Sequence, residues 1–560
     1  MRTLLALAVA LCFPAAAFAD APPPGATWTQ ATIKEADGTR LHADVLRPAG
    51  LPADARTPVI LSIGPYFNHS GQTGPAGPVE GTPYTPTGEA GPSARFYDFI
   101  EGAKLMERGY TWVQVDLRGF GGSTGCLDWG GPGEQADAKA AVEWAAAQPW
   151  STGKVGMYGK SYDGATGLMG IAQQPAGLAA VVSQEPVYDL YRYLYTNRVR
   201  FTNSLATPLL YDAIAGTPGT TGDTLAYNAD SLNDVARPGC PALNWLDQQS
   251  SDHGSAYWRA RDYIAATKGK TTPLFLTQGF IEDNTKPDGT WDLYNGLAGP
   301  KRAWFGMWDH VRGNDADASG RLLMGRHGWF DEVMRFFDRY VKGAQVADDP
   351  PVAVESSDGT WRAEDAWPPA DSAPAGITLN RGSYTDDGQN DGTGSGAGTG
   401  IWTISKPLAA GAHLAGVPKL SVDVASAPSR ANLVADVYDI DAGNQATLIS
   451  RGADLLNGAG STTFDLYGDD WKLPAGHRVG VLLTSANAEW WLHVPTLGTV
   501  DVAAARIELP FLRCTRTATI EGGPSVKLDS YRAEAPFAVG ADTVAAAERA
   551  DFEVPATSAC

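Results

Sequence analysis

Ser161 stands in Gly159-Lys160-Ser161-Tyr162-Asp163-Gly164, where a short apolar run changes abruptly into a stretch of small residues. A serine hydroxyl is a poor nucleophile until a base takes its proton and an acid orients that base. A sharp strand-to-helix turn displays such a hydroxyl clear of its own backbone, and the helix N-terminus behind it favours developing negative charge. Lys154 to Tyr158 reads as the buried strand and Ala165 to Ala172 as a helix packed closely on a sheet. The common spacing is Gly-x-Ser-x-Gly; here Asp163 takes the place of the second glycine and Gly164 follows one step later. Gly-x-Ser triplets also occur in ordinary turns, so the motif needs support from elsewhere in the chain.

Two later segments supply it. Thr272 to Thr277 is strand-like and runs into Gln278-Gly279-Phe280-Ile281-Glu282-Asp283-Asn284, which places carboxylates just past a strand's C-terminal end. Lys301 to Gly306 repeats the arrangement and leads through Met307-Trp308-Asp309 to His310. Catalytic groups of open parallel sheets gather at that edge. Serine, then acid, then histidine is the chain order of the α/β-hydrolase fold.

These segments resemble the family of bacterial cocaine esterases, α-amino-acid ester hydrolases and Xaa-Pro dipeptidyl-peptidases. That family carries Gly-x-Ser-Tyr-x-Gly, as residues 159–164 do here, and Asp116-Leu117-Arg118-Gly119, Glu143-Trp144 and Gln148 to Gly156 are similar to its signatures. The acid segment is similar to the family's Gly-x-x-Asp, with Glu282 at the acid position and Asp283 beside it as the second candidate. The approach to His310 resembles Gly-Pro-Trp-x-His, with Met307 in place of proline. The resemblance implies an α/β-hydrolase domain with a non-catalytic C-terminal β-sandwich. It also implies an oxyanion-binding tyrosine hydroxyl at Tyr66, which residue type alone reads as a half-buried aromatic at a strand end. The second oxyanion donor is the Tyr162 backbone N–H, which follows the nucleophile directly. Asn284 matches an asparagine that dipeptidyl-peptidases of the family place near the substrate's free amino terminus.

The elements that position these residues follow an α/β logic. Strands near 59–63, 111–115 and 155–158 alternate with helices near 97–107 and 134–147, the pattern of a mainly parallel sheet. Residues 27–187 and 268–345 form the expected hydrolase domain, closed by a helix over 329–342 that ends at Gly343. Between its halves, residues 188–267 read as an inserted helical cap over the active-site edge. Residues 350–560, with short alternating strands such as Leu420 to Val424, read as a jelly-roll-like β-sandwich. Within it, Asp386 to Gly400 is a Gly/Asp/Thr run that reads as a flexible loop, since its spacing matches no calcium-ligand pattern.

At 560 residues, with 43% hydrophobic and 19% charged, the chain is globular and long enough for two or three domains. A net charge of −20 argues against nucleic acid and anionic membrane surfaces. Residues 1–19 combine a basic start, the apolar run Leu4 to Phe13 and a small-x-small site at Ala17-Phe18-Ala19, the pattern of a secretory signal peptide. The run is far short of the roughly 20 residues that span a bilayer, so the mature chain is expected in the periplasm or outside the cell, without membrane insertion. Four cysteines remain after cleavage. Of three possible connectivities, domain membership favours Cys126 with Cys240 and Cys514 with Cys560.

His42, His69, His253, His327, His413, His477 and His493 have no paired ligand spacing and read as surface or hydrogen-bonding residues. Trp490-Trp491 reads as core or interface, and Asp163 as a carboxylate in the first turn of its helix. No metal or organic cofactor is called for. The expectation is a serine hydrolase acting on a peptide or small-molecule substrate, leaning to a dipeptidyl-peptidase through Asn284. A small-molecule acyl esterase or amidase comes second, and an exported binding protein on a hydrolase scaffold third. Oligomeric state is not legible.

Overall fold

A computed structural model describes residues 21–71, 73–74, 77–78, 84–388, 400–487, 490–534 and 536–559. The expected signal peptide, the centre of the Gly/Asp/Thr run and Cys560 lie outside the described residues.

Ten strands form the first sheet: β1 (Ala26–Lys34), β2 (Arg40–Pro48), β3 (Thr57–Gly64), β4 (Thr111–Asp116), β5 (Ser151–Lys160), β6 (Leu178–Gln184), β7 (Leu274–Gly279), β8 (Lys301–Gly306), β9 (Val352–Glu355) and β10 (Trp361–Glu364). Their spatial order is β1-β2-β4-β3-β5-β6-β7-β8-β9-β10. From β4 to β9 every pair is parallel, while the strands at the two ends add antiparallel. The parallel centre is buried on both faces, which is why β4 and β7 are buried at every position and β3 at all but one, with no alternation.

Helices α1 (Tyr97–Gly102), α2 (Pro132–Ala147) and α3 (Tyr162–Gln173) cross between these strands. The first is shorter than its apolar pattern suggests: Lys104 adopts φ 53° and breaks the helix before Leu105. The closing helix Trp329–Phe337 continues as a wider turn over Asp338–Lys342 and stops at Gly343, φ 73°. The sheet does not end with it. Residues 352–364, placed with the sandwich by composition, return to the first sheet as β9 and β10.

Between β6 and β7 the chain forms six short helices: α4 (Leu190–Leu194), α5 (Thr207–Ala215), α6 (Leu225–Asp230), α7 (Gly239–Asp247), α8 (Ala256–Arg259) and α9 (Tyr263–Thr267). The sulfurs of Cys126 and Cys240 are paired, joining the loop before α2 to α7.

In the C-terminal region every strand pair of the two sheets is antiparallel, a seven-stranded sheet beside a five-stranded one, consistent with a sandwich. Lys419–Ser426 shows the expected alternation, with Leu420, Val422 and Val424 buried and their neighbours exposed. The two parts share one hydrophobic core. Trp291 and Trp367 meet at 4.0 Å between ring centres, with Phe280 5.1 Å from Trp367. A buried Arg362 donates to both oxygens of Asp470 at 2.9 and 2.6 Å, and His413 Nε2 lies 2.7 Å from the same carboxylate. Trp490 and Trp491 are buried, and Trp490 packs on Phe201 of the segment before α5.

Candidate active site

Ser161 occupies the turn between β5 and α3 with φ 65° and ψ −124°, a conformation that costs an L-residue about 1–3 kcal/mol. Two hydrogen bonds hold it there: its N–H donates to Gln184 O at 2.8 Å, and its carbonyl accepts from Ala165 N–H at 2.9 Å. The flanking glycines are required by contact. A Cβ on Gly159 meets the Asp163 backbone at 2.2 Å, and one on Gly164 meets Gln184 O at 2.9 Å. Asp163, at the motif's irregular position, is fully buried and accepts from Arg95 Nε at 2.5 Å. Burial pushes its carboxyl up to about 6 against the pull of Arg95.

His310 follows β8 and Glu282 follows β7, so parallel pairing of those strands brings the two loops side by side. His310 Nδ1 lies 3.0 Å from Glu282 Oε1. Glu282 is itself held by its own loop: Oε1 accepts from the N–H groups of Asn284 and Thr285 at 3.0 and 2.9 Å, and Oε2 from Thr285 Oγ1 and Lys286 N–H at 2.8 and 2.6 Å. Burial raises this carboxyl, but His310 and the Thr285 donors outweigh it and bring it down to about 2. Asp283 points elsewhere. It lines the cavity, and burial with the neighbouring charges of Asp309 and Glu282 pushes it up to about 6. Glu282, not Asp283, is the carboxylate behind the ring.

A cavity of about 460 Å³ opens over this edge, and Ser161, His310, Tyr66, Asp283 and Asn284 all line it. Tyr66 is buried, and its hydroxyl is 2.6 Å from that of Tyr211 and hydrogen-bonded to Ser161. Burial pushes the phenol up to about 12 against the pull of Arg95, whose guanidinium lies 4.0 Å from the ring centre, so it stays a hydrogen-bond donor. The Tyr162 N–H opens α3, a position without an intrahelical acceptor. The Tyr162 hydroxyl points away and donates to Glu134 Oε2 at 2.6 Å. Asn284 Oδ1 accepts from Tyr193 OH at 3.1 Å on the cavity wall.

Comparison with known proteins gives the family. Residues 37–312 match the X-Pro dipeptidyl-peptidase (S15) family, and residues 344–526 match the X-Pro dipeptidyl-peptidase C-terminal non-catalytic domain. The chain belongs to the S15 family of serine hydrolases. It is 25% identical to a Streptomyces avermitilis protein assigned as a Xaa-Pro dipeptidyl-peptidase, over 84% of this chain and 80% of the relative. It is 26% identical to the cocaine esterase of a Rhodococcus species, over 60% of this chain and 59% of that one. In fold it is similar to a CocE/NonD family hydrolase from Staphylococcus aureus, with a TM-score of 0.65 at 17% identity, over 87% and 94% of the two chains.

In this S15 chain, several residues at the site carry no sequence signal. Tyr193 and Tyr211 reach the cavity from α4 and α5, helices too short for a readable period. Arg95 joins Asp163 to the Tyr66 ring from a loop with no motif. Glu185 is buried under the Glu282 loop, where its oxygens accept from Trp308 Nε1 at 2.8 Å and Gly279 N–H at 3.1 Å. Burial and the Glu282 charge push it up to about 8.

Proposed function

We propose that this chain is an exported serine hydrolase that cleaves an amide or ester bond through an acyl-enzyme on Ser161. Its preferred substrate is a peptide whose free amino terminus lies near Asn284. Ser161 Oγ attacks the carbonyl carbon while His310 Nε2 accepts its proton, and Glu282 holds the imidazole in the tautomer that leaves Nε2 free. The Tyr66 hydroxyl and the Tyr162 amide receive the oxyanion. His310 then protonates the leaving amine or alcohol, and water repeats the cycle on the acyl-enzyme. Residues 188–267 act as a cap over this edge, and residues 1–19 direct export, in keeping with paired cysteines.

The observation that carries this reading is the 3.0 Å approach of His310 to a Glu282 tied down by four donors, with Ser161 in the same cavity. The esterase reading is favoured by a different feature: Ala206 and Leu210 give the cavity an apolar wall suited to an acyl or alkyl group. Comparing Ala-Pro-p-nitroanilide with p-nitrophenyl butyrate separates the two. Turnover of the anilide supports the peptidase, and turnover of the ester alone rejects it.

A further inference from the structure

A second histidine cluster lies at the β1–β2 edge of the sheet, outside the cavity. His42 and Asp44 sit two residues apart on β2, so the strand's period of two turns both to the same face. His69, in the loop after β3, meets them there. The ligand atoms of the three side chains all lie within 4.8 Å of one another. All three residues are buried.

The ring orientations are those of a metal site. His42 turns Nδ1 to Asp116 Oδ2 at 3.1 Å, and His69 turns Nδ1 to Asp223 Oδ1 at 2.6 Å. Each Nε2 then faces inward: His69 Nε2 lies 3.2 Å from Asp44 Oδ2, and His42 Nε2 lies 3.8 Å from Asp44 Oδ1. An outer carboxylate on one ring nitrogen fixes the tautomer in which the other nitrogen offers its lone pair, the usual arrangement of metal-bound histidines. A tetrahedral zinc ion with bonds of about 2.0–2.2 Å holds its ligands about 3.4 Å apart, close to these separations. Asp44 is anchored from outside by Trp28 Nε1 at 2.7 Å and Gln114 Nε2 at 3.2 Å. The amide oxygen of Gln30, an exposed residue, is 3.3 Å from His42 Nε2 and suits the fourth position on the solvent side.

Charge points the same way. Asp44, Asp116 and Asp223 bring three buried carboxylates together, and among the described residues no lysine or arginine pairs with them. Asp116 Oδ1 is buried without a hydrogen-bond partner among the described residues.

We propose that His42 Nε2, His69 Nε2, an Asp44 oxygen and Gln30 Oε1 bind one divalent transition-metal ion of the zinc class. Asp116 and Asp223 fix the two rings. The ion binds each imidazole through its Nε2 lone pair, and any proton held there leaves to solvent. The ion's role is to clamp. It joins β2 to the loop that carries Tyr66, three residues before His69, and through Asp223 and the Tyr227 ring stacked 4.3 Å from His69 it reaches the segment around α6.

The test is zinc titration of the chelator-stripped full chain, with X-ray absorption at the zinc edge. The expected result is one zinc per chain, a first shell containing two imidazoles, and a raised melting temperature on adding zinc. H69Q and D44N abolish stoichiometric binding, D223N weakens it about 10–100-fold, and H253Q, at an exposed imidazole paired with the buried Asp189, leaves it unchanged. Wild-type protein that takes up no stoichiometric zinc, or a zinc shell without two imidazoles, overturns the proposal. Neither readout depends on a variant folding. A metal-free chain of shared protons through Asp223, His69, Asp44, His42 and Asp116 is then what remains.

Discussion

Two places in this molecule set histidine against carboxylate, and they differ in what lies beyond the ring. His310 has one carboxylate, Glu282, behind Nδ1, and it lines the cavity that also holds Ser161. His42 and His69 have carboxylates toward both nitrogens and are sealed in. An imidazole with one nitrogen anchored and the other open to a cavity moves a proton. One enclosed on both sides keeps its proton or exchanges it for a metal ion. On the proposed reading, the same side chains serve chemistry in the cavity and cohesion beside β2.

The contrast breaks most sharply in activity. S161A and H310A lower kcat by about 10⁵–10⁶-fold and E282A by about 10⁴-fold, while D283A stays within about tenfold, measured on p-nitrophenyl butyrate. H42Q is expected to act on melting temperature and zinc content, with kcat changed only a few-fold. A 10⁴-fold loss in H42Q places the sealed cluster in the chemistry and erases the distinction.

Y66F removes one donor to the oxyanion and costs about 10²–10³-fold in kcat with little change in KM. A rise in KM alone identifies Tyr66 as a wall of the cavity. N284A raises KM for Ala-Pro-p-nitroanilide about tenfold and leaves the ester untouched, because only the peptide offers a free amino terminus there.

The smallest expected effect lies under the Glu282 loop. The folded-state value of Glu185, about 8, is above its ordinary 4.5, so the folded protein binds more protons between those values and loses stability as pH rises through them. Glu282, at about 2, contributes stability that is present above 4.5 and lost as pH falls toward 2. E185Q mimics the neutral acid. It should match wild type in melting temperature near pH 5 and exceed it slightly near pH 8; equal slopes at both ends contradict a neutral Glu185.

Legibility followed the length of regular structure behind each residue. Ser161, Glu282 and His310 each come directly after a buried strand, and a glycine-bounded apolar run marks such a strand without any partner in view. The family resemblance added Tyr66, whose loop has no motif of its own. Tyr193 and Tyr211 escaped notice because α4 and α5 have 5 and 9 residues, and their burial against the cavity depends on tertiary packing. The sheet's last strands were misplaced for a similar reason: Pro350-Pro351 signals a linker, but β9 pairs with β8 across a connection of more than forty residues. The spacing of His42 and Asp44 is visible on a strand, whereas His69, Asp116 and Asp223 join them only through the fold.

The most direct measurement is reaction of the purified chain with an organophosphate, followed by peptide mass spectrometry. A stoichiometric adduct on Ser161, formed in wild type and lost in H310A, is the predicted result. An unlabelled Ser161, or labelling of equal rate in H310A, contradicts the relay from Glu282 through His310 to the serine.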